Sequence, residues 1–164
     1  MITGGYNENE KMEVLDGSTN VTSVCASSSH QYPLDIRLAT GALVGNKIIV
    51  CGGLIPTTSS CYEFSHDHNW KILGEMNTER ARSASIPIPN GLWVTGGFSG
   101  GKVLDSTEIV LSNGTILNGP PLPEPRSGHC LLQYKNTTFL IGGYDGNDSQ
   151  STVWIFKDGF HCIS

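Results

Sequence analysis

Three stretches read alike: Asn46-Lys-Ile-Ile-Val-Cys-Gly-Gly53, Asn90-Gly-Leu-Trp-Val-Thr-Gly-Gly97 and Asn136-Thr-Thr-Phe-Leu-Ile-Gly-Gly143. Each is a turn residue, then an apolar run, then a glycine pair. A fourth pair, Gly4-Gly5, follows Met1-Ile2-Thr3. Successive pairs lie 48, 44 and 46 residues apart, and self-similarity at such a period marks a repeat architecture. Asn stands six residues before the first glycine in the three full copies. Asn tolerates left-handed backbone, so it is expected to take that conformation in a tight hairpin turn. The run behind it is rich in β-branched and aromatic residues and reads as a buried strand.

Working outward, each pair is followed by a polar loop and a short strand: Met12-Glu-Val-Leu15, Cys61-Tyr-Glu-Phe64, Thr107-Glu-Ile-Val110 and Thr152-Val-Trp-Ile155. A fourth, outer strand is expected around Val21, Trp70, Ile116 and His161. Upstream of the Asn turns lie small-residue segments, Ala39-Thr-Gly-Ala42, Ser83-Ala-Ser85 and Ser127-Gly128-His129, preceded by Arg37, Arg82 and Arg126. Small side chains suit strands crowded near the axis of a radial fold. No window carries a helical period. The run Pro120-Pro-Leu-Pro-Glu-Pro125 reads as a link between repeats, because proline cannot donate to a sheet ladder.

These features together resemble the Kelch repeat. The family pattern is an Arg entering a small-residue strand, a strand ending in Gly-Gly, and a later aromatic–Trp pair. Gly52-Gly53 with Phe64 and Trp70 shows it most fully, while Leu15/Val21 and Val110/Ile116 replace the aromatic pair elsewhere. The resemblance implies an all-β fold of β-propeller blades, each a four-stranded antiparallel sheet. The expected units are about 1–34 (incomplete), 35–79, 80–124 and 125–164, three and a half to four blades of one partial propeller. A six-blade ring would need roughly 280 residues at this period. The sequence is therefore expected to be part of a longer protein.

Composition excludes several classes. The 164 residues suit one domain. Charged residues are only 15% and Gly numbers 20, which argues against a coiled coil or a charged disordered chain. A net charge of −5 lacks the basic footprint of nucleic-acid binding. No stretch approaches the ~18 consecutive apolar residues of a membrane span. No signal peptide is visible at the start of the sequence.

The candidate sites each carry two readings. The glycine pairs Gly4-Gly5, Gly52-Gly53, Gly96-Gly97 and Gly142-Gly143 read as structural, since strands follow them and no Lys-Ser/Thr does. Arg37, Arg82 and Arg126 could line a rim that binds an acidic peptide, because guanidinium forks suit carboxylates. Alternatively they satisfy buried carbonyls or pair with a glutamate such as Glu13 or Glu108. His66 and His68 lie in an expected turn and have no third ligand of metal-site spacing. His129 and Cys130 are strand neighbours that point to opposite faces, so they form no dyad.

Five cysteines show no Cys-x-x-Cys pair. Cys51 and Cys61 fall on consecutive strands, where a cross-strand disulfide or two buried thiols are both reasonable. Cys130 and Cys162 could pair within the last blade, leaving Cys25. Four N-glycosylation sequons begin at Asn20, Asn113, Asn136 and Asn147, all in expected turns or loops.

No catalytic, cofactor or metal constellation stands out. The expected function is a non-enzymatic scaffold presenting blade loops to a protein partner. Those loops are Tyr6–Glu10, Leu54–Ser59, Phe98–Lys102 and Tyr144–Gln150. The family resemblance also allows the substrate receptor of an intracellular ubiquitin ligase or an actin-associated protein. A copper enzyme like galactose oxidase is the remaining alternative, although Tyr, Cys and His here follow no matching motif. The sequons and the Cys51–Cys61 pair favour an extracellular setting over a cytoplasmic one.

Overall fold

The computed structural model describes residues 32–65, 69–157 and 159–163, together with the strand residues of the first repeat. Gly4, Gly5, Asn20, His30, His66, His68 and the loop Tyr6–Glu10 lie outside the described residues. Among the described residues every regular element is a β-strand.

The first repeat contributes β1 (Ile2–Thr3), β2 (Met12–Val14) and β3 (Val24–Cys25), paired in that order. The second blade is β4 (Thr40–Val44), β5 (Lys47–Cys51), β6 (Ser60–Phe64) and β7 (Trp70–Glu75). The third is β8 (Ala84–Ile88), β9 (Gly91–Thr95), β12 (Thr107–Leu111) and β13 (Ile116–Asn118). Its loop carries a small hairpin, β10 (Phe98–Ser99) with β11 (Lys102–Val103). The fourth is β14 (Cys130–Tyr134), β15 (Thr137–Ile141), β16 (Val153–Phe156) and β17 (Phe160–Ile163). The last three sheets are antiparallel meanders of four strands, as the repeat implies. The leading strands β4, β8 and β14 lie side by side. β4 and β8 carry the small residues Gly41, Ala42, Ala84 and Ser85, whereas β14 is Cys-Leu-Leu-Gln-Tyr and the segment Ser127–His129 precedes it.

Period-two alternation sends successive side chains to opposite faces. Leu92 and Val94 therefore join the seam with the second blade, among Val44, Ile49, Cys51, Cys61, Met76 and Val110. Trp93, between them in sequence, joins the other seam with Ala84, Ile86, Leu122, Leu131 and Leu140. Both faces of β9 are covered, which is why its sequence is an unbroken apolar run. Each such side chain contributes about 1.5–3 kcal/mol on burial. The fourth blade differs on its far face. Leu132 is 53% exposed, whereas Ile86, its counterpart in the third blade, is 5% exposed.

The hairpin turns correct one expectation. The left-handed residue is Gly45 in the second blade and Lys135 in the fourth, each one place before the Asn. Only in the third blade is it the Asn itself, Asn90, with φ of 60°. Proline fixes φ near −65°, so Pro89 cannot take the left-handed position and passes it on.

The glycine pairs have a second role besides turning the chain. Gly53 N–H donates to the Arg80 carbonyl (2.9 Å), and Gly97 N–H donates to the Arg126 carbonyl (2.7 Å). A Cβ on Gly52 or Gly96 would strike those same carbonyls, and both glycines have left-handed φ, 66° and 54°. These two pairs are thus the seats on which the links to the following blades rest.

Candidate partner-binding rim

The chain enters each blade and makes each second-to-third-strand loop at one end of the sheets, while the short hairpin turns lie at the other. At the first end, link and loop are stitched together by paired backbone bonds. Arg37 bridges to Leu54, Ala81 to Phe98 and Ser127 to Tyr144. The next residue of each link is left-handed: Leu38 (φ 61°), Arg82 (φ 55°) and Gly128 (φ 62°). These three are tied in series across the blades. Arg82 N–H donates to the Leu38 carbonyl at 3.0 Å, and Gly128 N–H donates to the Arg82 carbonyl at 2.8 Å. The result is a continuous backbone rim with Leu38, Arg82, Ile55 and Tyr144 exposed around it.

The three arginines read from the sequence do not share a position. Arg82 is exposed on the rim, Arg37 is half-buried one place earlier in the link, and Arg126 is fully buried two places earlier. The residues aligned with Arg126 are Ile36 and Arg80, each sixteen places before the first glycine of its pair. Sequence reasoning missed Arg80. It aligned the arginines on the small-residue segments, and Arg82 lay nearer. Counting back from Gly52, Gly96 and Gly142 was the signal that finds it.

Arg80 is buried at this end and bonded on several sides. Its Nη1 donates to the carbonyls of Gly96 (2.8 Å) and Ser106 (3.0 Å), and its Nη2 to Glu108 Oε1 (2.7 Å). Glu108 in turn accepts the N–H groups of Asn77 (2.6 Å) and Thr78 (3.0 Å), at the start of the same link. Burial lowers the Arg80 pKa, and the adjacent Glu108 carboxylate opposes that shift and holds the charge. Arg126 finds a different set: Thr152 Oγ1 (2.9 Å) and Glu124 Oε2 (2.6 Å), the latter on a side chain that is 49% exposed. Both guanidinia lie beneath the rim and fix it.

His129 is buried at the seam of the third and fourth blades. Its Nε2 is 2.8 Å from Thr95 Oγ1, and its Nδ1 has no partner among the described residues. Burial first, and the Arg126 charge second, lower its pKa to about 4, so it is neutral at ordinary pH. Cys130 beside it is exposed.

Cys51 and Cys61 are bridged across β5 and β6, fully buried in the seam with the third blade. The further pairing expected of Cys130 with Cys162 is not formed. They occupy the first and last strands of the fourth sheet, with β15 and β16 between them.

The loops at this end are ordered by their own polar groups. Asp145 Oδ1 accepts the N–H groups of Asn147 and Asp148 at 2.7 and 2.8 Å, and its Oδ2 accepts Gln150 Nε2 at 2.7 Å. The Asp148 and then the Asn147 backbone bonds hold the Asp145 carboxyl below its usual range. Ser99 Oγ donates to Glu79 Oε1 at 3.2 Å, fastening the β10–β11 hairpin to the link. Of the sequon asparagines, Asn147 is exposed in this loop, whereas Asn113 and Asn136 are exposed in hairpin turns at the opposite end.

Residues 125–162 match the Kelch motif. The chain is 31% identical over 90 residues to the spermatocyte protein spe-26 of Caenorhabditis elegans, covering 54% of this chain and 16% of that one. It is 28% identical over 85 residues to a Dictyostelium discoideum chain named as a serine/threonine-protein kinase, covering 47% and 6%. Among solved structures it superposes on YjhT with a TM-score of 0.61 and 19% identity, over 70% of this chain and 36% of that one. The chain thus spans about a sixth or less of these curated relatives. The last repeat is a Kelch motif, and the sheets have the fold of Kelch-type propeller blades.

Proposed function

We propose that these Kelch-type blades form a non-enzymatic scaffold that holds a protein partner on the rim. The observation that supports this is the hydrogen-bonded series Leu38–Arg82–Gly128, which sets exposed side chains on a rigid edge. A preorganised surface loses little entropy on binding, and loops on a rigid frame carry specificity. Arg82 supplies a planar cation, while Leu38, Ile55 and Tyr144 supply apolar contact. A partner segment with acidic and apolar side chains fits that chemistry.

The test uses wild-type protein and the double variant Arg82→Glu, Tyr144→Asp as baits in the cells that make it. Both side chains are exposed, so melting should be nearly unchanged, within about 0.5 kcal/mol for each site. A partner bound by the wild type and lost by the variant supports the rim. Equal capture by both forms sinks it.

A further inference from the structure

The sequon at Asn113 falls at the end of the blades opposite the rim, in the turn between β12 and β13. Its Oδ1 accepts the Thr115 N–H at 3.0 Å, so the side chain of the acceptor residue is held against the hydroxyl-bearing residue of the same sequon. Both Asn113 and Thr115 are exposed, and Gly114 between them takes a left-handed φ of 87° that lets the turn close. The acceptor and hydroxyl-bearing residues therefore remain reachable after folding. The sequon at Asn136 differs, because its Thr138 is buried within β15. The sequon at Asn147 lies instead in the rim loop, where Asp145 Oδ1 accepts the Asn147 backbone N–H.

A second observation is independent of the turn. The Cys51–Cys61 bridge is built into the core of the second blade, and such bonds belong to oxidising compartments of the secretory route. N-linked oligosaccharide is transferred in that same setting.

We propose that Asn113 carries an N-linked oligosaccharide. The donor class is a lipid-diphosphate-linked oligosaccharide. The Asn113 amide nitrogen attacks its anomeric carbon, forming a carbon–nitrogen bond. The bond from that carbon to the diphosphate oxygen breaks, and the lipid diphosphate leaves with the electron pair. One amide proton passes to the transferase. No oxidation or reduction occurs. A glycan at this turn covers the far end of the third blade and leaves the rim open, so the assignment does not depend on rim binding.

The experiment takes native protein from the cells that make it and removes N-glycans enzymatically in heavy-oxygen water. The tryptic peptide Val103–Arg126 is then read by mass spectrometry. The expected result is aspartate with one heavy oxygen at position 113 in the treated sample and none in a mock-treated one. An untreated native peptide with unmodified asparagine at 113 overturns the assignment. So does label in both samples, which reports spontaneous deamidation of Asn-Gly. A Thr115→Ala variant, which retains Asn113, should lose the labelled peptide. Its persistence there also overturns the proposal.

Discussion

The second and third blades fill the same place in opposite ways. Sixteen residues before the glycine pair the second blade has Ile36, packed with Tyr32 and Val50 and flanked by Tyr62 and Trp70. The third has Arg80, bonded to Glu108. The partners also correspond, since Tyr62 stands opposite Val50 and Glu108 opposite Val94 in their sheets. One solution is apolar, the other an ion pair whose further hydrogen bonds come from backbone and from Ser106 Oγ. The fold asks for a filled site there, not for a charge. The fourth blade is a hybrid. Arg126 is retained, but Trp154 stands where Glu108 does, opposite Leu140, and the carboxylate comes from the half-exposed Glu124.

The sharpest way to break the comparison is Glu108→Ala. It leaves the Arg80 charge buried and unpaired and strips acceptors from Asn77 and Thr78, so a loss of about 3–5 kcal/mol is expected in urea unfolding. Grafting the second blade's pair, Arg80→Ile with Glu108→Tyr, should recover most of that loss, because apolar replacement of a buried pair is often neutral. If the graft is as unstable as the single variant, the equivalence of the two sites is wrong.

Next in size is the disulfide, which among the described residues only the second blade carries. Replacing both Cys51 and Cys61 with Ala should cost about 2–4 kcal/mol, checked against the wild type with and without reductant. The variant should no longer respond to reductant.

Comparable in size, but present only in acid, is the sensitivity of the seam between the third and fourth blades. His129 has a folded pKa of about 4, below its ordinary 6.5. The unfolded chain therefore binds the extra proton between those values. Stability contributed by neutral His129 is complete above about pH 6.5 and falls by roughly 1.4 kcal/mol per pH unit as pH drops toward 4. His129→Gln, which keeps a polar group for Thr95, should flatten that limb of a melting-temperature profile against pH. An unchanged limb would assign it to other groups.

The smallest effect is expected at Glu124→Ala. The Glu124 carboxylate is half in water and Arg126 keeps Thr152, so the cost should be about 1 kcal/mol or less. A loss matching that of Glu108→Ala would mean the two arginines are held equivalently after all.

Much of the blade pattern was legible because it repeats. The glycine pairs, the Asn turns and the runs between them recur at nearly constant spacing, and the sheet registers of the second to fourth blades follow that spacing. The rim was legible only in part. Of the expected Arg37, Arg82 and Arg126 only Arg82 stands exposed there, and Arg80 was hidden because two arginines stand two residues apart and the small-residue frame favours the nearer. His129 drew attention only through its neighbour Cys130. Its real partner, Thr95, is 34 residues away on another blade, and no local pattern connects them.

By itself the sequence determined the strands, their order and the places where the backbone must turn, because these follow from side-chain alternation, proline and glycine over short range. The tertiary structure decided which arginine is buried, which cysteines meet and which residues stand exposed on a common edge. Those outcomes depend on contacts between strands and links far apart in sequence. Arg80 is committed by Glu108 and Gly96 and Arg126 by Thr152, each contact spanning 16 to 28 residues, while Arg82 is left at the surface by the left-handed turn that carries the rim.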